Sequence, residues 1–349
     1  MRIFADVIIS AMRFFTRCIP LRMYIFLLLA ATALCGEAQN EAGRQRLSAR
    51  IDSALQVRYA RVSYDTAFMA RPPGRLTLKF KSNLYGNYYH SRIKEEGTTM
   101  RAELETATRA TLSLNASYRG LSLGVSFNPA SLKGKSKDYE FNLNIYNNRF
   151  GIDAFYQISE TLNGEISYDG SIFHLEKSSV KTRMLHITGY YVFNHRRFSY
   201  PAAFTQSFVQ KRSAGSWLAG FSYQGGSMKT TDNASEQIPP ARLYVGHFAI
   251  GGGYAYNLIA WRKWLFHLSA MPTLVVLNSN NVTVSGEKQK MPTYFPELIL
   301  NNRAAVVYNI SPRCFLSLTG VNNSNVFASK THRTNQTKWQ MHLSVGVRL

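Results

Sequence analysis

The last eleven residues set the tightest limit on what this chain can fold into. From Trp339 to Leu349 apolar side chains take every second position: Trp339, Met341, Leu343, Val345, Val347 and Leu349. Gln340, His342, Ser344, Gly346 and Arg348 lie between them. Such alternation gives a strand one apolar and one polar face. Chain ends ordinarily fray. A strand held to its final residue is expected where it must pair with the first strand and close a barrel, so residues 337–349 are expected to pair with 75–89.

The start of the chain gives the expected compartment. Arg2, Arg13, Arg17 and Arg22 precede an apolar run from Tyr24 to Leu34. This is the plan of a secretory leader, and the run is too short to span a bilayer as a helix. The small residues Gly36 and Ala38 place cleavage after Ala38, making 1–38 a signal peptide. Met12 is an alternative start. Cys35 suggests a lipoprotein, but bulky Leu34 stands where such sites carry a small residue. Cys314 is then the one remaining cysteine, so no internal disulfide is expected. No later run is apolar enough for a membrane helix. Two classes survive: a soluble exported sandwich and an outer-membrane barrel.

The strand pattern favours the barrel. Alternating segments fall near 75–89, 99–118, 121–128, 138–147, 149–159, 180–194, 214–228, 241–258, 262–278, 294–309, 312–322 and 336–349. That is twelve, within a range of 10–14, and even, as single-chain bacterial barrels require. Connections alternate between tight turns at 119–120, 147–148, 259–261 and 309–312 and long polar loops at 90–98, 129–137, 160–179, 229–240, 279–293 and 323–335. Short periplasmic turns and long external loops have this alternation. One connection, 195–213, is long where a tight turn belongs. It is read as a periplasmic insertion with a short helix; as a hairpin it would raise the count to fourteen. The expected domains are therefore the leader, a periplasmic segment at 39–74 with a short basic helix around Leu47, Ile51 and Leu55, and a transmembrane antiparallel barrel at 75–349.

The two faces follow from alternation. Leu76, Leu78, Phe80 and Leu84 oppose Lys79, Lys81 and Asn83, and Leu298, Leu300, Ala304 and Val306 oppose Glu297, Asn301 and Arg303. The apolar set faces lipid, because a cation there costs roughly 2–4 kcal/mol at mid-bilayer. Lys79, Lys81, Glu103, Glu105, Arg109, Glu140, Arg303 and Arg348 are therefore expected to line the lumen. Their mixed signs predict a cross-linked, largely filled interior, which a barrel of this size permits.

Candidate chemistry is sparse. His267 and Ser269, and His342 and Ser344, form His-x-Ser pairs, a spacing that puts imidazole and hydroxyl on one strand face. Imidazole can activate a hydroxyl as nucleophile, and some outer-membrane phospholipases use this spacing on the lipid face. Here alternation puts both pairs on the polar face, as lumen lining. Gly251-Gly252-Gly253 lacks the strand–loop–helix setting of a phosphate loop. No cluster has metal-ligand spacing, and no cofactor is expected. The net charge of +21 becomes +19 after loss of four arginines and two acids in 1–38. It suits anionic outer-membrane lipid and lipopolysaccharide better than nucleic acid, which an exported chain does not meet. Further expected partners are the barrel-assembly machinery and a periplasmic protein docking on Tyr200, Pro201, Phe204, Lys211 and Arg212.

Two stretches carry a family resemblance. One is Tyr64-Asp65-Thr66 followed by Leu76-Thr77-Leu78-Lys79-Phe80 and Asn83. The other runs from Ser199-Tyr200-Pro201-Ala202-Ala203-Phe204 to Gln210-Lys211-Arg212-Ser213-Ala214-Gly215-Ser216-Trp217. The chain resembles, over about residues 60–349, a Bacteroidetes outer-membrane family catalogued as a domain of unknown function (4421 type). The resemblance implies an outer-membrane barrel and no particular activity. The expected role is a narrow channel or an envelope scaffold, the alternative an outer-membrane enzyme acting on lipid or acidic glycan.

Overall fold

The computed structural model describes residues 63–349 apart from 75, 96–97, 119–120, 128–138, 232–239, 285, 291–294 and 329–331, together with Ser53, which is helical. The expected leader, and all of the expected basic helix but Ser53, lie outside the described residues.

Antiparallel strands build the unit Arg61–Leu349. They are β1 (Met69–Ala70), β2 (Leu76–Glu95), β3 (Thr98–Thr106), β4 (Arg109–Tyr118), β5 (Leu121–Phe127), β6 (Tyr139–Tyr146), β7 (Phe150–Ser159), β8 (Leu162–Tyr168), β9 (Ser171–Leu175) and β10 (Val180–Val192). After helix α1 (Tyr200–Phe204) come β11 (Val209–Gln210), β12 (Ala214–Thr230), β13 (Ala241–Ala260), β14 (Trp264–Asn278), β15 (Asn281–Val284), β16 (Glu287–Lys290), β17 (Glu297–Asn309), β18 (Cys314–Ala328) and β19 (His332–Arg348).

Twelve of these form the wall, in the order β6-β7-β10-β12-β13-β14-β17-β18-β19-β2-β4-β5, each paired with the next. They are the twelve segments that alternation marks out. The last strand meets the first as expected, from Arg348↔Thr77 to His332↔Ile93. Leu349 exchanges both backbone hydrogen bonds with Leu76, at 2.7 and 3.0 Å. The chain enters this seam through Gly74, whose φ of +91° suits glycine and where a Cβ would meet the Leu349 carbonyl oxygen at 2.3 Å.

No β5–β6 pairing occurs among the described residues. The circuit closes instead on the outer side, where β8, which follows β7 directly, pairs with β3 from Met100↔Tyr168 to Thr106↔Leu162. The loops expected at 160–179 and 279–293 are thus hairpins, β8–β9 and β15–β16. β2, β18 and β19 also run further than alternation suggests. Beyond the hydrocarbon a ladder needs no apolar face, so the sequence pattern stops before the strands do.

Alternation fixes the wall's two faces. Leu114, Phe141, Trp217, Leu268 and Leu343 all point outward, with Trp217 68% and Leu268 69% exposed. An apolar girdle of this extent far exceeds the patches soluble monomers show, and lipid is the solvent it fits. At the tight-turn end the girdle carries aromatics: Tyr191, Phe193, Trp217, Tyr254, Tyr256 and Trp261 are all exposed. Such belts mark the bilayer interface. The chain is an outer-membrane β-barrel.

Candidate functional site

The interior is where this barrel departs from a simple tube. Residues 193–213 begin at the tight-turn end of β10 and turn up into the lumen. Ser199 caps α1, its hydroxyl accepting from the Ala202 amide at 3.3 Å. Pro201 in the first turn costs nothing there, because its missing N–H has no partner in a helix start. Thr205 ends the helix, its hydroxyl donating to the Pro201 carbonyl at 3.1 Å. Tyr200, Pro201, Ala202 and Ala203 are buried. Phe198 and Tyr200 pack with Tyr190, Leu218, Ala255 and Met271 of the wall. Ala202, Ala203 and Phe208 pack with Leu265, Ala305 and Val307. These are inward positions of β10, β12, β13, β14 and β17, so the segment is a stopper with its own apolar core.

Polar ties fix the stopper to the wall. Asn257 Nδ2 donates to the Ser199 carbonyl at 2.9 Å and to Gln210 Oε1 at 3.2 Å. Lys79 Nζ donates to Gln206 Oε1 at 2.9 Å. From below, residues 64–71 cover it: β1 pairs with β11 (Met69↔Gln210, Ala70↔Val209), the Asp65 amide donates to the Arg196 carbonyl at 2.8 Å, and Arg197 meets Asp65 at 3.4 Å.

Above α1 lies an ion pair inside the lumen. Arg303 of β17, 4% exposed at its side chain, pairs through Nη2 with Asp153 of β7. The Tyr146 hydroxyl donates to the same carboxylate. The guanidinium stands over the Tyr190 ring at 5.1 Å and over Tyr200 and Phe204 at 5.9 Å. Cation and rings attract through the ring quadrupole, so the stopper's aromatics contact the charge that bridges the lumen.

The rest of the lumen is filled by amides and hydroxyls. His186 Nε2 lies 3.0 Å from Thr188 Oγ1, Thr188 donates to Asn301 Oδ1 at 3.2 Å, and Asn301 donates to Ser222 Oγ at 2.8 Å. Towards the outside, Asn325 Nδ2 donates to Glu297 Oε1 at 2.7 Å and to His247 Nδ1 at 3.0 Å. The remaining interior space includes small cavities. One of about 10 Å³ lies below α1 beside Phe208, Leu265 and Arg348. Another, of about 20 Å³, lies among Asn87, Tyr89, Phe155, His186, Gln224 and Lys338. Each has room for about one water molecule.

The structure sorts the sequence candidates. Lys79, Lys81, Arg109, Arg303 and Arg348 face inward, and Arg109, Arg303 and Arg348 are buried. Glu103 and Glu105, expected beside them, do not line the lumen. The strand breaks at Ala107-Thr108, and β3 continues above the wall, leaving the Glu103 side chain 60% exposed beside His90. The side chain of Glu140 lies outside the described residues. Interior anions come instead from Asp153 and Glu297. The expected docking surface is also altered: Tyr200, Pro201 and Phe204 turn into the barrel, and Lys211 and Arg212 stay exposed.

The two His-x-Ser pairs differ. His267 Nδ1 donates to Asn257 Oδ1 at 2.7 Å, and its Nε2 accepts from Ser269 Oγ at 3.1 Å. Asn257 lies directly opposite His267 across the β13–β14 hairpin, so the hairpin register alone could have revealed this third member. An acceptor fixing one imidazole nitrogen and a hydroxyl on the other is the arrangement of an activated nucleophile. It is sealed, however: His267 and Ser269 are each 3% exposed, and the Tyr200, Phe204 and Phe198 rings stand 4.9, 5.1 and 6.0 Å from the imidazole. His342 Nδ1 donates to Asn83 Oδ1 at 2.8 Å. Among the described residues no hydrogen bond joins it to Ser344.

Residues 63–349 match the model of a family described as a domain of unknown function (DUF4421). The chain belongs to that family. No curated protein matches it. Solved structures similar to it include the outer-membrane protease OmpT from Escherichia coli, at 7% identity, covering 80% of this chain and 98% of that one with a TM-score of 0.41. The translocator domain of the autotransporter NalP from Neisseria meningitidis is 8% identical, with 88% and 97% covered and a TM-score of 0.32. The outer-membrane protein OprG from Pseudomonas aeruginosa is 9% identical, with 80% and 97% covered and a TM-score of 0.25.

Proposed function

We propose that this barrel is an envelope protein with a narrow channel held shut by its own 193–213 segment. One observation carries the reading: an apolar, hydrogen-bonded stopper occupies the periplasmic half of the lumen, with the Arg303–Asp153 pair directly above it. In the closed state the protein serves as a scaffold within the membrane. Its basic periplasmic edge, Arg196, Lys211 and Arg212, remains exposed for a periplasmic partner. Planar-bilayer recording tests the reading. The intact protein should give no conductance steps, and a variant with 196–211 replaced by Asn-Gly should give them. Equal conductance from both would overturn it.

The Asn257–His267–Ser269 chain supports a second reading, a hydrolase whose nucleophile the stopper covers, acting on lipid or acidic glycan. Its test is ester hydrolysis by the 196–211 replacement with and without Ser269→Ala. Activity that appears on opening and vanishes with the serine would favour this reading. No activity in either form would remove it.

A further inference from the structure

On the outward face of β10, β12 and β13 three cations stand in one row. Lys181 is directly opposite Lys229, and Lys229 directly opposite Arg242. Directly paired side chains in an antiparallel sheet have Cβ atoms about 5 Å apart, and like charges there are destabilising. Arg183, two residues along the same face of β10, adds a fourth positive charge. Among the described residues one carboxylate answers them: Glu160, 2.6 Å from Lys181 Nζ. Arg242 lies over the Tyr244 ring at 4.6 Å. Arg183 and Lys229 are exposed and have no hydrogen bond or ion pair among the described residues.

Position along the strands gives the depth. On β12 the outward residues run Trp217, Ala219, Phe221, Tyr223, Gly225, Ser227 and Lys229, and their β13 partners run Tyr254, Gly252, Ile250, Phe248, Gly246, Tyr244 and Arg242. From the periplasmic aromatic pair Trp217–Tyr254 to Lys229–Arg242 is twelve residues, about 40 Å along the strand and roughly 30 Å along the membrane normal at usual barrel tilts. One hydrocarbon thickness therefore separates the aromatic belt from the cation row, which places the row at the outer-leaflet headgroups.

We propose that Lys181, Arg183, Lys229 and Arg242 form a binding site for the phosphate groups of the outer-leaflet glycolipid, lipopolysaccharide. A row of like charges at this depth is stabilised by a multivalent anion that bridges it. Lipid phosphate supplies that anion, with Arg183 and Arg242 donating paired N–H groups and Lys229 standing between strands as a point charge. The site lies on the outside of the wall and is independent of the stopper.

The experiment is a binding titration on detergent-purified barrel, followed by the midpoint of thermal unfolding. The probes are lipid A, lipid A stripped of phosphate, phosphatidylglycerol and inorganic phosphate. Lipid A should raise the midpoint of the native protein, and the other three should raise it little or not at all. In Lys229→Gln/Arg242→Gln the affinity for lipid A should fall about fivefold per charge removed, and the lipid-free midpoint should be equal or higher as the repulsion is relieved. Lys229→Gln alone gives the same reading with the smallest change. Arg262→Gln/Lys263→Gln, at the opposite rim, should leave lipid A affinity unchanged. Undiminished binding by both Lys229 variants, or equal protection by phosphatidylglycerol or inorganic phosphate, would overturn the proposal.

Discussion

The two ends of this barrel solve the same problem differently. At one end turns are tight, and the lumen is closed by a segment with an apolar core, a capped helix and a covering strand. At the other end strands run past the membrane as paired hairpins, and the lumen is bridged by a buried polar cluster of the His247, Asn325 and Glu297 side chains. A polar lumen can be satisfied by water or by protein. Here the lower half uses protein, and the bonds there are buried, mutually dependent and costly to break. The outer rim, where Glu165 meets His174, stays near solvent, and a partner lost there is replaced by water. Stability should therefore concentrate near α1 and fall towards the loops.

The largest expected effect is at the ion pair. Arg303→Met leaves the partly buried Asp153 without its cation and should cost about 3–5 kcal/mol. Urea unfolding in detergent, read by gel mobility of the folded barrel, measures it. Asp153→Asn added to it should restore most of the loss, and no restoration would mean that the arginine acts through packing. Next is the lipid face: Leu268→Arg should cost about 2–4 kcal/mol in bilayers, but much less in water-rich detergent. Asn257→Ala removes ties to the stopper and to His267 and should cost about 1–3 kcal/mol. Smallest is the outer rim. Glu165→Gln breaks the exposed pair with His174 and should change stability by less than about 0.5 kcal/mol. A rim variant as damaging as Asn257→Ala would break the contrast between the ends.

The wall was legible in the sequence because lipid imposes period two with a single apolar face. That pattern located all twelve wall strands and the pairing of 337–349 with 75–89. It failed where lipid exerts no pressure. The break at Ala107-Thr108 changes no polarity, so Glu103 and Glu105 read as lumen residues although they stand above the wall. Residues 195–213 have no period, and their direction, inward and upward, is set by contacts with the flanking β10 and β12 and with β13, β14 and β17 further along the chain. Tyr200 and Phe204 read as exposed docking residues for that reason. Asp153 carries no signal in the sequence, because a lone acid among Ile152, Ala154 and Tyr156 names no partner, and Arg303 lies across the lumen.

The strand β1 has a mechanical consequence. It is a two-residue ladder with β11, and the Asp65 contacts to Arg196 and Arg197 lie just upstream of it. Tension drawn along the chain from the direction of residue 63 therefore loads the stopper before it reaches Gly74 and the wall. The first links to yield are one short ladder and one partly exposed ion pair. The segment that fills the lumen is thus also a tether, and a pull on the chain ahead of β1 acts on it first.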